Sequence, residues 1–453
     1  MSPAEHPSTQ SDRTATQSAP PDSPSSRSTP PDSFSSRSTP PDPSSSRSTP
    51  PDRHPSRSSR RAFLATAGTA AATSLAGCSA LTSGDDVPPL TDEDWHSYGN
   101  GPTNDNRVAG GVPPLTEHEI LTSADWTYAP PVVHDGVAYV AADRRVVAAA
   151  ADGTERWSSD LDVEVAGAPA LDPDRGRLYV PTRVVGTTDG PETPPASVTA
   201  LTLADGDVIG APTVGDEDAY GLTVADGDVY VRSATACVRL APDGTERWRR
   251  SLPPLVYDEY RLGDSTATQI TPAVTGGGVY VPDRNALVKL DRETGDERWR
   301  VPVDTPYAAP VVDERGVVQT GWQETVAVDR SGEVRWRRDL HSRAAAALDG
   351  TDVYVVAGDL HEVDAASGET NWRAHLPGEG TEAPVVTEDH VLAVSGDVRA
   401  FRRDVGGLLP PERLQWTYSE VHAATYSSPV VAAGRVFVVG PMGLLALRPA
   451  AGD

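Results

Sequence analysis

The sequence predicts an all-β fold, an eight-bladed β-propeller of four-stranded antiparallel blades, from two observations. First, a tryptophan recurs at the end of the same kind of glycine-containing turn. From Trp157 onward, the gaps between successive tryptophans are 91, 51, 37, 36 and 44 residues. These gaps match one or two units of about 40 residues, the length of a propeller blade. Second, the β-branched and aromatic runs between the turns are bounded by Gly, Asp and Pro, as half-buried antiparallel strands require. The tryptophans are Trp126, Trp157, Trp248, Trp299, Trp336, Trp372 and Trp416.

Each unit contains four short strands, and the fourth unit shows them most clearly. An apolar stretch that begins at Thr271 is followed by a glycine turn, by the run 279–281, by a shorter apolar strand at 286–290 and by the turn that ends at Trp299. The glycine of that turn, Gly295, is expected to have a positive φ. The tryptophan is expected to pack against the neighbouring blade, because one blade alone does not cover so large a ring.

Eight units can be counted, the first beginning at Ala129 and the last at Ser428. The eighth has three strands, and its fourth is expected from the segment 119–126, which precedes the first unit. This strand is predicted to lie alongside the strand near Leu445. A ring closed in this way leaves no open sheet edge.

The repeat carries a family resemblance. The pattern Asp-x-x-Thr-Gly-x-x-x-Trp at 291–299, found in looser form at 364–372, resembles the tryptophan-docking repeat of pyrroloquinoline-quinone (PQQ) dehydrogenases and BamB-like lipoproteins. Residues 94–107 are similar to the stretch that opens the propeller in that family. The resemblance covers the chain from about Asp94 onward and implies an eight-bladed fold. It implies no particular activity, since the repeat residues build blades and not a site.

The chain is divided into four regions. Residues 1–58 form a Ser/Thr/Pro-rich tract with almost nothing apolar to bury, which predicts disorder. Residues 59–78 have the character of an export signal. Residues 79–118 are a linker and the segment that opens the propeller, and residues 119–453 are the propeller itself.

The signal region joins two motifs. Arg60 and Arg61 precede a mildly apolar run and resemble a twin-arginine export signal, and the run ends in Leu-Ala-Gly-Cys, which resembles a lipoprotein cleavage box at Cys78. The run itself, residues 62–77, is too short to span a bilayer. We therefore expect a protein exported and anchored to the outer face of the cytoplasmic membrane through lipidated Cys78. The alternative is a chance arginine pair and an ordinary cysteine.

The charge is strongly negative. The formal net charge is −26, and Lys289 is the only lysine. Such a surface repels itself unless salt screens it, so the composition resembles that of extreme halophiles. Nucleic acid is not expected as a partner, because a polyanion meets no basic patch. Cys237, the cysteine that remains beside Cys78, is expected to be a buried small side chain without a disulfide partner.

No motif for catalysis, for a metal or for a phosphate-binding loop occurs in the sequence, and the histidines are scattered without ligand spacing. The PQQ dehydrogenases that the repeat resembles use a calcium site, a catalytic Asp and two adjacent cysteines. This chain has no adjacent cysteines. We therefore expect no catalytic residue, cofactor or metal, and a non-catalytic scaffold. A PQQ-dependent dehydrogenase-like redox enzyme is the alternative.

Binding is expected on one face of the ring. The insertion 183–197 and the long link 253–269 emerge on that face, where tyrosines recur in the links that lead into the first strands. Aromatic and arginine side chains dominate binding hot spots, so we expect a monomer that holds an unidentified protein or peptide there. The alternative is that these tyrosines simply pack on adjacent links. The candidate residues are Tyr128, Tyr257, Tyr260, Arg261, Tyr307 and Tyr426.

Overall fold

The computed structural model describes residues 89–450 apart from 123–126, 128, 184–195, 216–218, 258–259, 262–269, 307, 379, 381, 405–411 and 421–426. This part of the chain is all-β and forms a ring of eight antiparallel blades, which confirms the predicted fold class. A single 3-10 turn, Pro173–Arg175, is its helical content. Across these residues no helix has the length and apolar character needed to cross a membrane.

Within each of blades one to seven, the four main strands pair antiparallel in the order in which they follow along the chain. The innermost, first strands are Val132–His134, Ala170–Asp172, Ala219–Ala225, Ala273–Thr275, Val311–Val312, Ala347–Leu348, Val385–Val386 and Val430–Ala432. The second strands are Val137–Ala142, Arg177–Arg183, Asp228–Ser233, Gly278–Asp283, Gly316–Thr320, Asp352–Ala357, His390–Ser395 and Arg435–Gly440.

The outer strands follow in the same blade order. The third strands are Arg145–Ala150, Ala196–Thr202, Ala236–Leu240, Ala286–Leu290, Thr325–Asp329, Asp359–Asp364, Asp397–Arg402 and Gly443–Arg448. The fourth strands are Glu155–Asp160, Val208–Gly210, Glu246–Ser251, Glu297–Pro302, Val334–Arg338, Thr370–Ala374, Leu414–Tyr418 and Glu117–Thr122. Blade two also contains Glu164–Val165 and Thr213–Gly215, and a hairpin of Val256–Tyr257 with Tyr260–Arg261 follows blade three.

The eighth blade is closed by the N-terminal strand, as predicted. Glu117–Thr122 pairs antiparallel with Gly443–Arg448 and places Ile120 opposite Leu445. The strand begins at Glu117 rather than at residue 119. The first and last strands of the ring are thus hydrogen-bonded to each other, and the ring has no free edge between blades eight and one.

The hydrophobic core lies between blades rather than within them. One cluster joins Tyr139 of blade one to Leu178 of blade two, and the next joins Tyr179 of blade two to Leu222 of blade three. The pattern continues around the ring to a cluster shared by blades seven, eight and one. Because side chains alternate along a strand, each second strand sends one row to each neighbouring blade.

The repeat tryptophans contact the following blade. Trp336 is representative: its indole N–H donates to the carbonyl oxygen of Ala365 at 3.0 Å, and its ring lies against Gly368. Gly368 has φ +74°, and a Cβ at this position would lie 2.7 Å from the ring. The equivalent hydrogen bonds run from Trp157 to Leu203, from Trp248 to Arg292, from Trp299 to Arg330 and from Trp416 to Val112, at 2.9, 2.9, 3.2 and 3.1 Å.

Gly368→Ala should therefore destabilise the protein by about 2 kcal/mol more than Gly396→Ala, because overpacking adds to the backbone strain. Gly396 has nearly the same φ, +73°, but a Cβ at this position meets nothing within 4 Å. The second variant thus isolates the strain from the collision with Trp336. Urea unfolding of the two variants measures the difference, and equal losses would show that the ring contact contributes nothing.

The chain before the closing strand forms what we call the belt segment, residues 91–108. It makes a circuit of the ring, bonding the ends of the first strands of blades eight, one, two, four, five, six and seven in that order. Because first strands are innermost, the belt segment runs around one mouth of the central channel. The bonding backbone groups are those of Thr91, Glu93, Trp95, His96, Pro102, Thr103, Asp105, Asn106 and Val108.

Two asparagines fix the belt segment to the blades. Asn104 and Asn106 are completely buried and have φ of +55° and +54°, a conformation that asparagine tolerates better than most residues. Each side-chain amide donates to main-chain carbonyls of the ring. The acceptors are Thr271, Pro272 and Pro310 for Asn104, at 3.2, 3.3 and 3.2 Å, and Ala346 for Asn106, at 2.9 Å.

The two faces of the ring differ. The belt segment lies at the ends of the first strands, on the face that also bears the turns between third and fourth strands. We call this the turn face. Since strands alternate in direction, the loops between second and third strands and the links between blades emerge on the opposite side, which we call the link face.

Candidate functional site

A cavity of about 690 Å³ opens on the link face between blades five and six. It is bounded by the loop 321–324 between the second and third strands of blade five and by the link 339–343 that leads to blade six. Gly358 and Gly380, which form a backbone bridge, close its other side. We call this cavity the link-face pocket. Its volume is that of a site for a small ligand or for a few side chains of a partner.

The main feature of the link-face pocket is an exposed tryptophan. Trp322 is 40% exposed, and the guanidinium carbon of Arg343 lies 4.4 Å from the centre of its ring. Arg373 also lines the pocket. Among the residues that the structure describes, the side chain of neither arginine has a hydrogen bond or an ion pair, so the guanidinium donors are available to a ligand. An indole surface next to free guanidinium groups is typical of binding hot spots.

Of two titratable groups that line the link-face pocket, the Asp359 carboxyl is ionised and the His361 imidazole is neutral. The hydrogen bond from His375 Nδ1, at 2.9 Å, holds the pKa of Asp359 below its usual value. Burial lowers the pKa of His361, so this imidazole is neutral at pH 7. The pocket is therefore lined by two arginines and two aspartates, Asp339 and Asp359, without the excess of negative charge that characterises the chain.

The tyrosine candidates fall almost entirely outside the described residues. Tyr128, Tyr307 and Tyr426 are not described, and of Tyr257, Tyr260 and Arg261 only the backbone is, in the hairpin after blade three. Tyr220, in the first strand of blade three, is buried in a small cluster with Leu255 and Ile270. This tyrosine packs on an adjacent link.

The export and lipidation residues Arg60, Arg61 and Cys78 precede the described part of the chain, and Trp126 falls in one of its gaps. Trp372 is described, and the guanidinium of Arg413 stacks on its ring at 4.5 Å. Cys237 is buried among the side chains between blades three and four, and burial raises the pKa of its thiol to about 12.

Sequence reasoning missed Trp322 and Arg343, although one signal was present. Trp322 is one of two tryptophans that do not close a repeat turn, the other being Trp95 in the belt segment. Trp95 is buried, whereas Trp322 is exposed. A tryptophan outside the repeat pattern, in a loop between second and third strands, was therefore the sequence signal that could have indicated this pocket.

The tryptophan-docked blades, the closing N-terminal strand and the belt segment define a PQQ-like eight-bladed β-propeller. The chain belongs to the family described as outer membrane protein assembly factor BamB, whose profile matches residues 104–209, 225–338 and 321–453.

Individual comparisons agree with this assignment. The outer membrane protein assembly factor BamB of Alkalilimnicola ehrlichii is 32% identical over 164 residues, which are 32% of this chain and 43% of that protein. The crystal structure of BamB from Moraxella catarrhalis is 15% identical with a TM-score of 0.59, over 76% of this chain and 99% of that chain.

A quinohemoprotein alcohol dehydrogenase from Comamonas testosteroni is as similar in fold. It is 14% identical with a TM-score of 0.60, over 80% of this chain and 82% of that chain. At such identities the two structures show the fold alone. The aligned part spans less than half the length of the curated BamB relatives, 43% and 30% of them.

Proposed function

We propose that this protein is a non-catalytic scaffold that holds a protein partner at the link-face pocket, on the outer face of the cytoplasmic membrane. The observation that carries the proposal is the exposed Trp322 stacked on Arg343. The family supports a scaffold or assembly role, since its relatives bear the name of assembly factors. The signal motifs at Arg60, Arg61 and Cys78 support export and a lipid anchor.

The chemistry of the pocket specifies the partner's side of the contact. The exposed part of the Trp322 ring offers apolar surface, while Arg343 and Arg373 offer donors that match a carboxylate. The partner is therefore a protein segment in which an aspartate or glutamate lies next to a large apolar side chain. Truncating a hot-spot tryptophan or arginine costs about 2 kcal/mol of binding free energy, roughly thirtyfold in Kd.

A photo-reactive amino acid at Gln323, on the rim of the pocket, should crosslink to a discrete partner on cells that produce the protein. The same group at Glu333 is the matched control, because this exposed residue lies in the same blade but on the turn face. Trp322→Ala combined with Arg343→Ala should abolish the adduct at Gln323. Both substitutions are at the surface of the ring, so blade packing should be preserved.

Two outcomes would contradict the proposal. Identical adducts from Gln323 and Glu333 would indicate non-specific contact with neighbouring proteins. An adduct unchanged by the double variant would place the partner outside the link-face pocket. Absorbance of a bound quinone, after PQQ and Ca²⁺ are added to the purified protein, would instead favour the redox-enzyme alternative.

A further inference from the structure

Three metal-binding side chains meet where the belt segment crosses blade one. Asp94 Oδ2 lies 2.7 Å from Nδ1 of His134 and 3.2 Å from Nε2 of His96. One donor atom from each of the three residues can be chosen so that all lie within 4.8 Å of one another. The histidines are far apart in sequence, which is why their spacing gave no metal signal.

The backbone explains how these groups converge. Trp95 and Val133 form an antiparallel bridge, with N–H to carbonyl distances of 2.9 and 2.7 Å in the two directions. One position along from this bridge, Asp94 lies directly opposite His134. Successive side chains of a strand point to opposite faces. Asp94, His96 and His134 therefore project from one face of the pairing, while Trp95 projects from the other into the core.

Asp135 already holds two of the three groups, Asp94 and His134. The main-chain N–H of Asp135 donates to Asp94 Oδ1 at 3.0 Å, so the carboxylate is fixed through the oxygen that does not face the histidines. The carboxylate of Asp135 lies 3.6 Å from Nε2 of His134, on the far side of the ring from Nδ1. A carboxylate behind a ligating imidazole orients the ring and makes it a better ligand.

The hairpin that carries His134 is tightly defined. Asp135 and Gly136 have φ of +48° and +70°, the left-handed pair of a two-residue turn in which Asp-Gly is strongly preferred. This turn places the Asp135 main-chain N–H and carboxylate beside Asp94 and His134. The arrangement is thus set by backbone geometry.

We propose that Asp94, His96 and His134 bind one divalent transition-metal ion, Zn²⁺ or a close relative. Two imidazoles and one carboxylate form a donor set that suits Zn²⁺, whereas Ca²⁺ and Mg²⁺ prefer oxygen ligands alone. Tetrahedral Zn²⁺ with bonds of about 2.0–2.2 Å separates its ligand atoms by roughly 3.3 Å, so small movements suffice. The fourth position belongs to water or to another ligand.

An ion can reach this site from solvent, and its binding would link the belt segment to blade one. The side chains of Asp94, His96 and His134 are 28%, 42% and 25% exposed, so solvent reaches them without opening of the ring. Two ligands come from the belt segment and one from blade one. Bound metal therefore ties the belt segment to the propeller independently of the link-face pocket, and this proposal does not depend on the proposed function.

The test is titration of the full-length, chelator-treated protein with Co²⁺, a spectroscopic probe for zinc sites, followed by displacement with Zn²⁺. We expect saturation at one equivalent, with visible absorption bands that Zn²⁺ abolishes. Asp94→Asn, His96→Gln and His134→Gln should each weaken binding at least tenfold. His375→Gln is the matched control, because His375 pairs with Asp359 at 2.9 Å but lies outside the cluster.

Circular dichroism and thermal melting without metal establish whether each variant is folded. His96, the most exposed of the three ligands, is the least costly to change. Absence of saturable binding to the wild-type protein below about 100 μM would overturn the proposal, leaving a hydrogen-bonded Asp–His pair. Equal binding by folded His96→Gln and wild-type protein would overturn it as well.

Discussion

Asn104→Asp should lower the free energy of unfolding by about 4 kcal/mol or more, although it exchanges one NH₂ group for an oxygen. The side-chain amide of Asn104 is completely buried and donates toward the carbonyls of Thr271, Pro272 and Pro310. A carboxylate there faces these oxygens with no donor of its own, and burying an unpaired charge is costly. The shift of the urea midpoint measures the loss.

Asn100→Asp is the control for this change. Asn100 also lies in the belt segment with a positive φ of +63°, but its amide donates to one solvent-accessible carbonyl, that of Arg107, at 2.6 Å. We expect a loss of about 1 kcal/mol. If both variants lost the same stability, the buried contacts of Asn104 would not be what holds the belt segment in place.

Leu121→Asp should open the ring, with a loss of about 4 kcal/mol or more. Leu121 lies in the closing strand, is 4% exposed and belongs to the cluster shared by blades seven, eight and one. The variant removes this apolar contact and places a charge in its position. Release of the strand also exposes the edge of Gly443–Arg448, so association between molecules should increase.

Ile120→Asp tests the same strand from its other face. Ile120 is 46% exposed, so we expect a change within about 1 kcal/mol and no association. Thermal unfolding with size-exclusion chromatography separates the two cases. A stable, monomeric Leu121→Asp protein would show that the closing strand is dispensable.

The blades and their closure were predictable because the repeat carries local chemistry. Each turn needs a glycine with positive φ, such as Gly295 at +75°, and each tryptophan needs a neighbour to cover it. Eight such units with one strand lacking at the end leave a place for an N-terminal strand. The prediction therefore depended on the number of strands in the repeat units, and the observed pairing of Ile120 with Leu445 agrees with it.

The belt segment was predictable only as the stretch that opens the propeller. Its contacts run mostly from its backbone, which any sequence provides, so no periodicity marks them. The link-face pocket is formed by loops of two blades that the repeat does not specify. Likewise the meeting of His96 with His134 depends on one backbone bridge, between Trp95 and Val133.

The closing strand also sets the order of events during biosynthesis. Glu117–Thr122 leaves the ribosome before any blade, yet its partner Gly443–Arg448 is synthesised after every other strand of the ring. Earlier blades can pack on one another while the chain grows, but the first strand has nothing to pair with until the third strand of blade eight has been synthesised. A nascent chain interrupted before blade eight therefore carries an unpaired strand at one end and an uncovered sheet at the other. Premature termination thus yields a product that associates with other molecules rather than a smaller ring.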